Sequence, residues 1–206
     1  MIRIDAETLS ERENYKLLTG TVIPRPIALV TTLSENGVLN AAPFSYFNII
    51  TADPPLISVS VQRKKGIRKD TSRHAIARGE FVVHIADESY VEKLNATAAS
   101  LPPEESEVAL AGLTAVPSER ISVPGIAEAK VRLECVLEKA IPLGGSAEAE
   151  APTVDLLIGR VVRYHLHESI LDERNHVDAA ALQPVSRLAG ASYAKLGELF
   201  EVERPS

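Results

Sequence analysis

Hydrophobic and polar positions alternate along much of this chain with the period of two that a half-buried strand requires. Leu56-Ile57-Ser58-Val59-Ser60-Val61 sends Ile57, Val59 and Val61 to one face and Leu56, Ser58 and Ser60 to the other. One face of that strand is therefore small and polar. Ile27 to Leu33 is a β-rich run that ends in Ser34-Glu35-Asn36-Gly37. Asn-Gly between apolar runs is a strong hairpin signal, so Val38 to Phe44 should return antiparallel. Phe81 to Ile85 reads as a further strand, and Val131 to Ile141 and Val154 to His167 as two longer ones. The spacer between the long strands, Gly144 to Pro152, is small and acidic and is expected to form a mobile hairpin loop rather than a site.

Helical signals are inserted between these strands. Ser10-Glu11-Arg12-Glu13 has capping-box spacing, with Leu17 and Leu18 as apolar positions and Gly20 as a stop. Asp70, Thr71 or Ser72 can cap a helix that runs to about Arg78 and stops at Gly79. Glu88 to about Ala99 looks helical, and Pro102 to Glu107 reads as an exposed loop leading into another short helix. Strands joined by turns, with helices that do not alternate regularly, predict a mainly β fold with added helices: an antiparallel barrel with helices at its edges. A single domain over 1–206 fits this length, and no internal repeat interrupts it.

Composition narrows the function. The net charge is -6, and no Lys/Arg run exceeds Arg63-Lys64-Lys65, so a nucleic-acid-binding surface is not expected. No apolar stretch is long enough to span a bilayer and the N-terminus lacks a secretory pattern, so neither a membrane nor export is expected and the cytoplasm is the expected location. With a Cys count of 1, Cys135 can form neither an intramolecular disulfide nor a cysteine-based zinc cage. It shares parity with Val131, Leu133 and Leu137, which reads as a small buried hydrophobe rather than a redox or nucleophilic thiol.

Two segments could carry chemistry. Of the chain's 4 Phe and 5 Tyr residues, Phe44, Tyr46 and Phe47 fall within Asn40-Ala41-Ala42-Pro43-Phe44-Ser45-Tyr46-Phe47-Asn48. Core packing of a strand end is one explanation. The other is a planar ligand, because Asn40, Ser45 and Asn48 offer hydrogen bonds and Ala41 and Ala42 admit a ring close to the backbone. The second segment, Arg68-Lys69-Asp70-Thr71-Ser72, lies at an expected helix start, where backbone N–H groups and the helix dipole favour an anion. An ordinary capped helix with solvated basic neighbours is its alternative, and Ser58 and Ser60 on the same side would favour phosphate. His165 and His167 have alternate spacing on a strand but no obvious carboxylate or third ligand, so a solvated strand end is favoured over a metal site. Nucleophile-elbow, Walker A and dinucleotide-fingerprint motifs are absent.

Taken in order, several segments resemble flavin reductase-like proteins of the flavoredoxin and nitrilotriacetate monooxygenase reductase-component branch. They begin with Tyr15 to Gly20, Pro24 to Thr32, Asn40 to Asn48 and Asp53 to Leu56, and continue with Lys69-Asp70-Thr71, Gly79 to Val83 and Asn95-Ala96-Thr97. They end with Ala111 to Thr114, Pro184 to Gly190 and Tyr193 to Gly197, and together span nearly the whole chain. Ala189-Gly190 departs from the two glycines that relatives often show, which weakens any carry-over of a ligand contact to Arg187.

The resemblance implies an antiparallel split barrel, a homodimer, and FMN near the subunit interface. It would place Asn40, Ala42, Pro43, Phe44, Ser45 and Asn48 along the isoalloxazine and ribityl chain, and Ser58, Ser60, Lys69, Asp70 and Thr71 near the ribityl or phosphate. NADH or NADPH would be a transient co-substrate, with free flavin, a partner oxygenase or another acceptor taking the electrons. Two alternatives stand beside this: a non-enzymatic FMN electron-transfer protein lacking its own nicotinamide site, and a barrel oxidase acting on a B6 vitamer. The last would need basic residues for a second phosphate, for which Arg25, Arg63 and Arg187 are available, but the segment order fits the reductase branch better.

Overall fold

The computed structural model describes residues 1–145 and 151–205. Its helices are α1 (Glu11–Thr21), α2 (Asp70–Arg78), α3 (Val91–Ala96), α4 (Glu107–Leu110) and α5 (Ala179–Leu182). Its strands are β1 (Arg25–Pro26), β2 (Ala28–Leu33), β3 (Leu39–Phe44), β4 (Phe47–Ala52), β5 (Pro55–Gln62), β6 (Glu80–Ile85), β7 (Ala115–Val116), β8 (Gly125–Ile126), β9 (Val131–Leu143), β10 (Val154–Leu166), β11 (Val185–Arg187) and β12 (Tyr193–Lys195).

A 7-stranded antiparallel sheet has the order β3-β2-β6-β9-β10-β5-β4. Its two outermost strands, β3 and β4, are consecutive in sequence and joined only by Ser45 and Tyr46. Such a link reaches about 10 Å, whereas the edges of a flat sheet of this size would lie about 29 Å apart. The sheet must therefore curl into a barrel whose seam lies at Ser45-Tyr46, where the Ser60 N–H donates to Tyr46 O at 2.9 Å.

Alternation along β2 feeds two cores. Ala28 and Val30 point into the barrel with Phe44, Val59, Phe81 and Leu157. Ile27 and Leu29 point outward and are covered by Tyr90, Leu94, Val108 and Ile126. Burial on both faces explains why this strand reads as a nearly unbroken apolar run. Cys135 lies in the barrel core, fully buried, and burial together with the neighbouring Glu134 charge pushes its thiol well above the ordinary value. Gly159 sits at a bulge in β10, where a Cβ would collide with the Phe81 ring.

Most sequence expectations hold, with informative departures. The capping box at Ser10 and Glu13 is present, but α1 continues through Gly20 to Thr21 and leaves Leu18 60% exposed. The helix expected over Glu88 to Ala99 is confined to α3. Asp87 accepts the Ser89 N–H and hydroxyl at 2.8 and 2.5 Å, a local turn that delays the helix, and the Thr97 hydroxyl bonds back to Leu94 O where it ends. The hairpin loop expected between Gly144 and Pro152 has its centre, 146–150, outside the described residues.

Candidate functional site

A cleft of about 600 Å³ opens between β3, the start of α2 and the segment 97–107. That volume lies within the ~300–1,000 Å³ of small-molecule sites. A lobe of about 360 Å³ extends from it across Pro43, Phe44 and Lys69 to the seam. Asn40, Ala42, Pro43, Phe44, Lys69, Asp70 and Thr71 line the cleft, and Ser45 and Ser60 line the lobe. Asn48 and Ser58 stand apart. They pair across β4 and β5, and Asn48 borders a separate apolar groove with Phe47, Ile49 and Tyr164.

The helix start differs from expectation. None of Asp70, Thr71 or Ser72 is the N-cap: that position is Lys69, which has no side-chain cap bond. Asp70 instead pairs with Arg73 at 2.5 Å, Thr71 donates to Asn40 Oδ1 at 3.1 Å, and Ser72 donates to Lys69 O at 3.2 Å. Among the described residues, the first-turn N–H groups of Asp70, Thr71 and Ser72 thus have no protein partner. Unfilled donors at the positive end of a helix form an anion-binding feature. Cations surround it. Lys64, Lys65, Arg68, Lys69 and Arg73 all line this cleft of a chain whose net charge is -6. Among the described residues, Lys64, Lys65 and Lys69 have no carboxylate within ion-pair distance. Arg68 leans on Asp155 at 3.3 Å, which also takes Arg63 at 2.6 Å. Burial raises the Asp155 carboxyl, but these two guanidinium groups outweigh it and hold the group below the usual carboxylate range.

Beneath the cleft lies a buried polar network that sequence reading missed. Asn40 Oδ1 accepts from the Thr32 and Thr71 hydroxyls at 3.2 and 3.1 Å, while its Nδ2 donates to Glu107 Oε2 at 2.9 Å. The same Glu107 oxygen accepts the Ala41 N–H at 3.2 Å, and the neighbouring Ser106 hydroxyl donates to Leu39 O. Glu107, read as part of an exposed loop, is only 6% exposed. Burial raises its carboxyl above the usual range, opposed by these hydrogen bonds and reinforced by the Asp70 charge. Only its place where an acidic stretch runs into the short apolar helix α4 hinted at this. A hydroxyl has one proton to give, so Thr71 can offer a ligand its backbone N–H but not its O–H.

At the seam, buried Arg25 donates to Thr19 O, Val22 O and Leu188 O at 2.8, 2.6 and 2.9 Å and approaches Ser45 Oγ at 3.5 Å. It ties the end of α1 and the C-terminal segment to the lobe. Arg187 lies over the Tyr193 ring at 4.5 Å and donates to Gly190 O, and Arg63 is held by Asp155. The three arginines considered for a second phosphate are therefore each engaged elsewhere in the fold.

On β6, β9 and β10 lies a second polar cluster. His84 Nδ1 donates to Leu29 O at 2.9 Å and Nε2 accepts the Ile126 N–H at 3.0 Å, which fixes a neutral imidazole. Burial lowers its pKa to about 4. Buried Glu134 accepts the Glu119 and Arg120 N–H groups at 2.8 and 2.7 Å and His165 Nε2 at 2.6 Å. Burial raises this carboxyl, but the three bonds prevail and hold it below the usual range. His165, expected to be solvated and without a carboxylate, is thus paired with one; His167 instead follows β10 and caps the next short turn, accepting the Ser169 N–H. Among the described residues, no three metal-ligating side chains converge.

The crystal structure of nitrilotriacetate monooxygenase component B from Bacillus cereus is 61% identical with a TM-score of 0.95, over 98% of both chains. The 2-nitrobenzoate 2-nitroreductase of Pseudomonas fluorescens is 33% identical with a TM-score of 0.87, over 99% of this chain and 96% of that one. Flavoredoxin of Desulfovibrio vulgaris is 25% identical with a TM-score of 0.73, over 88% of this chain and 91% of its own. The flavin reductase like domain model matches residues 19–181, and the chain belongs to that family of split-barrel proteins.

Proposed function

We propose that this chain holds FMN in the cleft and lobe and passes electrons from NADH or NADPH through it to an acceptor. The observation that carries the reading is the uncapped start of α2 ringed by cations in an otherwise acidic chain. The donor set suits a phosphate monoester: three backbone N–H groups, the Lys69 ammonium, and Arg68 beside them. Ala42 and Pro43 leave the β3 side of the cleft low enough for a ring to lie along it, and Phe44 adds an apolar surface. Ser45 and Ser60 offer hydroxyls to a polyol chain. Asp70 acts indirectly, by holding Arg73.

Bound flavin would supply hydride acceptance and electron transfer, so no acid–base pair is required of the protein. The chain's own part is to fix the ring, neutralise the phosphate and limit solvent. Asn48, Ser58 and the adjoining apolar groove with exposed Ile49 and Tyr164 support a second copy of this chain completing the site as a homodimer. The acceptor is free flavin, a partner oxygenase or a small oxidant. Similarity to a monooxygenase component and to a nitroreductase supports that choice of acceptor classes.

The test is anaerobic stopped-flow absorbance of FMN-loaded protein mixed with NADH or NADPH. Bleaching of the flavin band is expected. Protein that binds FMN but stays oxidised with both nicotinamides would be an electron carrier needing a separate reductase. Protein that gains no FMN on incubation overturns the reading altogether.

A further inference from the structure

β3 is an edge strand of the sheet, and an edge strand presents unpaired backbone groups on its free side. Along that side the positions run Leu39, Ala41, Pro43. Ser106 covers the Leu39 carbonyl, Glu107 takes the Ala41 N–H, and proline has no N–H to leave unpaired. Glu107 does a second thing with the same oxygen: it holds Asn40 Nδ2 at 2.9 Å. A flip would turn Asn40 Oδ1 onto the Glu107 carboxylate, which only accepts, whereas the Thr32 and Thr71 hydroxyls can donate or accept and follow the orientation that Glu107 sets. The amide orientation is thereby set, and among the described residues the second Nδ2 N–H of this cleft-lining residue has no partner.

We propose that Glu107 is a positioning residue for the flavin ring: it locks the Asn40 amide and the β3 edge so that the remaining Asn40 N–H is presented to the ligand. The inference rests on the FMN reading above. Glu107 comes from a different element, α4, and joins the two walls of the cleft, since Asn40 stands on β3 and its partner Thr71 on α2. A carboxylate suits this task because it only accepts, and both groups it holds are donors.

The test compares FMN dissociation constants and the visible circular dichroism of bound flavin in wild type, Glu107→Ala, Glu107→Gln, Asn40→Ala and the double variant Glu107→Ala/Asn40→Ala. Wild type supplies the control: without FMN binding there, the FMN reading fails rather than this one. Glu107→Ala is expected to weaken FMN about tenfold and change the flavin dichroism. Glu107→Gln, whose Oε1 still accepts both bonds, should recover to within about threefold of wild type. In the Asn40→Ala background, loss of Glu107 should cost less than about twofold, since the residue it acts through is already gone. Wild-type affinity and dichroism in Glu107→Ala, or losses that multiply in the double variant, would overturn the proposal. Should Glu107→Ala fail to fold, Glu107→Asp, with its carboxylate withdrawn by one methylene, is judged by the same criteria.

Discussion

Two regions of this barrel bury a glutamate, and they treat it in opposite ways. Glu134 receives two backbone N–H groups and a histidine, and its carboxyl is held below the usual range. Glu107 receives an amide and one backbone N–H while Asp70 adds like charge, and its carboxyl is raised. Around Glu134 and His84 donors and acceptors match one another. Around the start of α2 donors and cations are left over. The first arrangement joins strands; the second has a donor surplus of the kind an anion would satisfy. Surplus of one kind of polar group is what separates a site from a buttress.

That contrast can be broken most sharply at Glu134. Glu134→Ala strands two N–H groups and His165, and should lower unfolding free energy by about 3 kcal/mol in denaturant titration while folded protein keeps its FMN affinity. A loss of flavin binding without loss of stability would erase the distinction. His84 gives a similar amplitude through pH. Its folded pKa lies below the unfolded one, so its contribution is present above pH 6.5 and lost as pH falls towards about 4. At ~1.4 kcal/mol per unit this is about 3 kcal/mol, and His84→Gln should flatten that part of the stability curve. Equal acid sensitivity in wild type and variant would remove His84 from the account.

Lys69→Ala tests the other region. FMN binding should weaken by about 1–3 kcal/mol by fluorescence titration, with melting unchanged to within about 0.5 kcal/mol. Unchanged affinity would return Lys69 to the role of a solvated helix neighbour. The smallest effect is a pair of opposed pH slopes. Glu107 contributes stability below its ordinary value near 4.5 that fades as pH rises through its higher folded value. Glu134 contributes stability above 4.5 that fades as pH falls through its lower folded value. Stability curves of Glu107→Gln and Glu134→Gln should therefore depart from wild type in opposite directions, and departures of one sign would contradict the contrast.

Much of the barrel was legible because it rests on local rules. The hairpin at Asn36-Gly37, with Gly37 at φ 81°, the alternation of β5 and the capping box of α1 each follow from neighbours in sequence. The polar-aromatic segment and the basic helix start were also visible; the structure brings Asn40 to Phe44 and the helix start to one cleft, while Phe47 and Asn48 turn to a separate groove. What stayed hidden depends on distant partners. The N-cap falls on Lys69 while Asp70, Thr71 and Ser72 are engaged by Arg73, Asn40 and Lys69 O, and Glu107 and Glu134 were unremarkable acids until β3 and the loop before β8 met them.

The Ser45-Tyr46 link also acts as a ruler. Because two residues tie the outermost strands of the sheet, the gap between those edges is capped by contour length rather than by any attractive energy. Heat or denaturant can weaken every contact across that gap, yet the edges cannot drift beyond the reach of the tether while the strands persist. Lengthening the link by a few glycines would turn a fixed aperture into an adjustable one without changing a single strand pairing.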